Sequence, residues 1–207
     1  SAMKLAKEIA VTYKTAWLML HKIRQAMKQR DAHYKLAGIV ELDDAFFGAP
    51  KEGGKRGRGT EKTKVLVGLS LNKKGHPLFV KMEVIPDVKS KTLIDFAERQ
   101  ISHGSIISSD AYRSYRKLEG KGYKHDFQVY NPKKSPDHLR WLHTVLSNAK
   151  ALVGGTFHGL DSRHLQSYLD EFCYRFNRRK HEGEMFSRLL HHCVGVKAIT
   201  HRELVGT

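Results

Sequence analysis

The apolar positions change period along the chain, and those changes divide it. Through the first thirty residues Leu5, Ile9, Ala16, Leu20, Ile23 and Met27 recur at spacings near three, four and seven, with a break around Ala10-Val11-Thr12. The pattern predicts a short helix followed by a longer one, with Thr12 as the N-cap of the second. Tyr13, Lys14 and Thr15 then occupy an exposed first turn, with Trp17 and Leu20 deeper. This is the layout of a helix-turn-helix, which sets the start of its second helix in the DNA major groove. It is equally the layout of a plain helical hairpin packed on a core.

From Gly38 the period shortens. Ile39-Val40-Glu41-Leu42-Asp43-Asp44-Ala45-Phe46-Phe47 is β-branched and aromatic and ends at Gly48-Ala49-Pro50, which predicts a strand. Lys51 to Glu61 is basic and Gly-rich with no apolar residue, a surface loop able to touch phosphates. Lys64–Leu71 and Leu78–Ile85, joined through Asn72-Lys73-Lys74-Gly75, add two strands of an antiparallel meander. Ser90 to Ile101 returns to helical period with Ser90 as cap, and Ser105 to Asp110 is a short buried strand. A short helix over Ala111–Leu118, a fifth strand over Tyr123–Tyr130 and mainly helix from about Asp137 follow. Strands first and then strand–helix alternation imply an α/β fold, a mixed sheet flanked by helices.

Composition narrows the class. With 207 residues and 40% apolar, the chain can bury one sizeable core, or one core plus a small module. No run approaches the ~18 apolar residues of a membrane span, and Ser1 to Ala10 lacks a secretory apolar region, so a cytoplasmic protein is expected. Cys173 and Cys193 lack CxxC spacing and read as reduced, buried thiols; the 13 histidines show no HExxH pattern and predict no zinc site. The 37 Lys and Arg against 21 Asp and Glu, a net charge of +16, point to a polyanionic partner.

Two predicted strands end in carboxylates, Asp43 and Asp110, and ligands of α/β sheets collect at strand ends. Carboxylates converging there can share hard divalent cations, although a single strand-end Asp is more often a turn or cap residue. Alternation along the first strand puts Glu41 and Asp43 on one face and Leu42 and Asp44 on the other. Farther on, Tyr168, Leu169, Phe172 and Phe176 repeat at helical spacing as a core stripe, with Arg175, Asn177, Arg178, Arg179 and Lys180 forming a basic run.

The segments Glu41-Leu42-Asp43-Asp44-Ala45-Phe46-Phe47-Gly48, Ser109-Asp110-Ala111-Tyr112-Arg113-Ser114-Tyr115 and Gly155-Thr156-Phe157-His158-Gly159, with His164 through Arg179, resemble bacterial insertion-sequence transposases of the ISXO type. The resemblance covers roughly Gly38 to Arg179. It implies a ribonuclease-H-like catalytic domain, and three segments: 1–35 helix-turn-helix-like, 36–182 catalytic, 183–207 a C-terminal helical tail. It also implies catalytic residues Asp43, Asp110, Asn148 and Lys150, with Asp43, Asp110 and Asn148 holding Mg²⁺ or Mn²⁺, two ions in the family's chemistry. His143 and Glu171 are the alternatives for the third ligand. DNA contacts are expected from Tyr13, Lys14, Thr15, Lys55, Arg56, Arg58, Arg175, Arg178 and Arg179. The implied activity is metal-dependent cleavage and strand transfer of DNA by a homo-oligomer, nucleoid-associated and without a small-molecule cofactor. A DNA-binding remnant without catalysis, or a nuclease on the same fold, are the rival readings.

Overall fold

The computed structural model describes residues 1–48, 53, 57–129, 138–157, 160–197 and 199–205. Its helices are α1 (Ala2–Glu8), α2 (Tyr13–Asp31), α3 (Ser90–Gln100), α4 (Arg140–Thr156), α5 (Leu165–Asn177), α6 (Glu182–Gly195) and α7 (His201–Val205); its strands are β1 (Ile39–Phe47), β2 (Thr63–Leu71), β3 (Pro77–Ile85), β4 (Ile106–Asp110) and β5 (Lys124–Gln128). Two compact units result: Ser1–His33 with Leu152–Thr207, and Tyr34–Ala151, the boundary falling inside α4. Among the described residues no helix is long and apolar enough to cross a membrane.

In the unit Tyr34–Ala151 the five strands form one sheet in the order β3-β2-β1-β4-β5. The hairpins β1–β2 and β2–β3 are antiparallel, as the meander predicted, while β1–β4 and β4–β5 are parallel. A mixed sheet with this order and β2 reversed is the ribonuclease-H-like arrangement. Leu42, Leu66 and Ile107 on one face pack with Leu93, Phe96 and Ala97 of α3 and with Tyr115 and Leu118 of the 3₁₀ segment Tyr115–Lys121. Gly68 keeps β2 open to this layer: a Cβ there would lie 2.9 Å from Leu36 Cδ1 and 3.5 Å from Phe96 Cε1. Val65, Val67 and Leu69, opposite Ala45, Asp43 and Glu41 in the register, are fully buried on the other face.

Two local expectations change. The helix after Asp110 is a 3₁₀ segment displaced to Tyr115–Lys121, because the Asp110 carboxylate first closes a turn by accepting Tyr112 N at 3.0 Å. The cap of α3 is Lys89 with no side-chain cap bond, and Ser90 is the first residue inside the helix; Asp87 ahead of it accepts Lys89 N (3.0 Å) and Thr92 Oγ1 (2.7 Å).

In the other unit α2 is capped as expected, Thr12 Oγ1 accepting Thr15 N at 3.2 Å. Polar and aromatic contacts tie α2 to α5: Arg24 Nε donates to Glu171 Oε2 at 2.8 Å, and its guanidinium lies 4.0 Å from the Tyr168 ring centre. Cys173 is buried and Cys193 half-buried, and both are free thiols.

Candidate active site

The register decides which acids meet. Parallel pairing of β1 with β4 ends at Leu42 opposite Ser109, so Asp43 and Asp110 each stand one residue past it, at the same end of neighbouring strands. Glu41 and Asp43 share the face toward α4, while Asp44 projects to the opposite face and accepts from Tyr115 Oη at 3.2 Å. Glu41 is not a solvent-facing ligand: its Oε2 accepts Leu142 N at 2.8 Å and pins the first turn of α4. Burial pushes its carboxyl above the usual range, opposed by that amide and by His143.

That contact aims the next residue at Asp43. His143 Nε2 lies 3.5 Å from Asp43 Oδ2, and this hydrogen bond raises the imidazole pKa against the effect of burial. Asp43 Oδ1 accepts Asp44 N at 2.8 Å. Lys150, about two helical turns beyond His143 and so on the same side of α4, lies in the field of Asp43. Burial and then Lys62 lower its pKa, and Asp43 opposes them. Asn148 leaves α4 about 140° round from His143. It is exposed, and its amide has no hydrogen bond among the described residues. Thus Asp43, His143 and Lys150 are gathered beside Asp110, and Asn148 is not among them.

Arg58 is the residue whose position no pattern in the sequence indicated. Its Nη2 is 2.7 Å from both Asp44 Oδ1 and Asp110 Oδ2, Nε donates to Asp44 at 3.1 Å, and the guanidinium lies 3.9 Å from the Tyr112 ring centre. Burial works against its charge, but the bonds to Asp44 and Asp110 hold its pKa above the ordinary arginine value. Burial likewise pushes the Asp44 carboxyl up, and Arg58 and then Tyr115 oppose it.

The donor set suits a divalent cation in type. Two ligands at about 2.1 Å from one ion and at right angles lie roughly 3.0 Å apart, close to the Asp43–His143 separation of 3.5 Å. Among the described residues no group of three or more His, Cys, Asp or Glu is closed to metal-ligand spacing, and Arg58 lies against Asp110 at 2.7 Å.

The remaining expected contacts belong to the other unit. Tyr13, Lys14 and Thr15 are exposed on the first turn of α2, the Thr15 hydroxyl 2.9 Å from that of Thr12. Arg178 is engaged by Asp31 at 2.7 Å, Arg179 Nη1 donates to Phe176 O at 2.8 Å, and Arg175 lies 3.5 Å from Glu171. Glu171 ends on Arg24. Lys55 and Arg56 lie outside the described residues.

The ribonuclease-H-like sheet thus carries two aspartates, Asp43 and Asp110, at the same end of adjacent parallel strands. The chain belongs to the ISXO2-like transposase domain family, whose profile matches residues 35–177. It is 25% identical over 105 residues to an uncharacterized transposase-like protein of Haemophilus influenzae, covering 49% of this chain and 84% of that one. Among solved structures it is similar to the catalytic core domain of BIV integrase (TM-score 0.42, 15% identity, 69% of this chain and 85% of that chain). It is also similar to the Mos1 strand transfer complex (TM-score 0.37, 14% identity, 95% and 73%).

Proposed function

We propose that this chain catalyses divalent-metal-dependent cleavage and strand transfer of DNA at the ends of an insertion sequence. The observation that carries the reading is the convergence of Asp43, His143 and Lys150 beside Asp110 in a member of a transposase family. Asp43, Asp110 and His143 would hold the cation, with His143 in the place expected of Asn148. A bound Mg²⁺ or Mn²⁺ supplies positive charge to the phosphoryl oxygens as the transition state forms. Asp43 and Asp110 fix the position at which that charge stands, and the Asp44 amide locks one Asp43 oxygen so that the other is presented. Lys150 adds a compact positive charge near Asp43 that draws in the scissile or flanking phosphate. Water attacks the phosphorus and the 3′-oxygen leaves as a hydroxyl; that hydroxyl then attacks a phosphodiester of the target DNA, forming a new P–O bond as the target's own 3′-oxygen leaves as a hydroxyl. The bonds exchanged are of one type, so the chemistry needs no covalent enzyme intermediate. Binding of the element's ends by the exposed first turn of α2, and assembly of two or more chains on paired ends, belong to the same proposal.

The test is Asp43→Asn assayed on a duplex carrying the element's terminal repeats. Mn²⁺-dependent nicking should vanish while duplex binding persists. Nicking retained in the variant would sink the assignment. If the unaltered protein shows no calorimetric Mn²⁺ site that Asp43→Asn abolishes, the chain is instead a DNA-binding relative without catalysis.

A further inference from the structure

Beside the carboxylates, and wholly within the unit Tyr34–Ala151, lies a cavity of about 650 Å³ whose charge the mechanism above does not use. Arg58, Lys64, Lys89, Arg113 and Lys117 line it with Tyr112. The acid in the lining, Asp87, is engaged by Lys89 Nζ at 3.3 Å and by the α3 cap bonds. Lys64, Arg113 and Lys117 form no ion pair with any described residue. Three uncompensated cations, drawn from β2, the turn after β4 and the 3₁₀ segment, therefore face one space. Like charges held together cost stability in the isolated protein, and a polyanion relieves that cost.

Two features select the anion. The volume falls in the range of roughly 300–1,000 Å³ typical of sites for organic ligands, far more than a lone phosphate ion fills. The cavity also communicates with the acid pair through shared residues: Arg58 lines it and bonds Asp110 at 2.7 Å, and Tyr112 lines it and donates its amide to Asp110 at 3.0 Å. We propose that this cavity binds consecutive backbone phosphates of the DNA strand that runs past Asp110, through Lys64, Arg113 and Lys117. The proposal deepens the function proposed above: the strand is held on the β4 side of the scissile phosphate, opposite the approach of Lys150 from α4. A strand phosphate entering here also offers Arg58 a second anion, so that loading the strand draws the guanidinium from Asp110.

The experiment is the salt dependence of binding of a fluorescein-labelled 16-base-pair duplex, read by anisotropy without divalent metal. Each phosphate contact contributes about 0.9 to the slope of log affinity against log salt. The Lys64→Ala/Arg113→Ala/Lys117→Ala variant should lose about 2.7 from that slope and at least tenfold in affinity at low salt. Lys117→Ala alone, on an exposed 3₁₀ segment, should lose about 1 and guards against a folding defect. A slope unchanged in both variants overturns the proposal. If the triple variant loses binding of inorganic phosphate but keeps the duplex affinity and salt slope of the unaltered protein, the cavity is a free-phosphate site and the strand assignment falls. These outcomes are separate from the Asp43→Asn test: a chain without Mn²⁺-dependent nicking can still show the slope change, and a nicking enzyme can lack it.

Discussion

Replacing Arg58 by Ala tests the electrostatic arrangement of the site without touching a proposed metal ligand. The Asp44 side chain is 2% exposed, and its partners besides Asp44's own strand are Arg58 and Tyr115. Removing the guanidinium leaves a buried carboxylate held by one hydroxyl. Breaking a fully buried pair costs about 3–5 kcal/mol. Arg58 is itself 34% exposed, so solvent screens the pair and water can follow the truncation; about 2 kcal/mol at neutral pH is expected. The cost depends on pH with a definite sign. The folded-state pKa of Asp44 is raised, so the folded protein binds this proton more tightly than the unfolded chain, and stability falls as pH rises from the ordinary Asp value to the raised one. Without Arg58 the carboxyl rises further and the window widens upward. The destabilisation should therefore be about 2 kcal/mol at pH 7.5 and should shrink as the pH falls toward the ordinary Asp range and Asp44 takes up a proton. Urea unfolding followed by Trp141 fluorescence in a Trp17→Phe background reports on the sheet unit, since these are the protein's two tryptophans. Equal destabilisation at both ends of that pH range would refute the reasoning. In the same variant a cation at Asp110 no longer faces a positive charge roughly 5 Å away, so Mn²⁺ should bind about tenfold tighter by calorimetry.

Two other predictions concern histidines. His143→Glu should shift the metal preference from Mn²⁺ toward Mg²⁺, with about tenfold tighter Mg²⁺ binding, because it replaces an imidazole with a hard oxygen donor. If Asn148→Ala abolishes metal binding and His143→Ala does not, the third ligand is Asn148. His21 is 1% exposed with both ring nitrogens unpartnered, and burial, then Arg24 and His164, bring its pKa down to about 4. The unfolded chain therefore binds this proton first, and stability is lost as pH falls from about 6.5 toward 4, by up to about 3 kcal/mol. His21→Phe should flatten that part of the acid dependence in Trp17-monitored unfolding, Trp17 being 4.1 Å from His21, and an unchanged profile would exclude His21 as its source.

The five strands, the Thr12 cap and the choice of Asp43 over Asp44 for the α4 face were legible because each depends on residues close in sequence: period two in a strand, period 3.6 in a helix, a hydroxyl before a first turn. The seven-residue spacing of His143 and Lys150 was also in the chain, two helical turns that put both on one side of α4. What made that side the functional one was invisible locally, since it depends on Glu41 accepting the Leu142 amide, a bond between residues far apart in sequence. The same holds for Arg58. As part of a Gly-rich basic loop it reads as a solvated cation, and only the fold brings it between Asp44 and Asp110. Arg178 reads in the run Arg175–Lys180 as a solvated cation, and packing of α5 against α2 sets it 2.7 Å from Asp31. The sequence by itself determined the elements, the excess of positive charge and the two strand-end acids. Which charges neutralise one another, and which remain open to a phosphate, was decided by tertiary structure, because electrostatic partnership depends on distance in space and on burial, neither of which is written in local order.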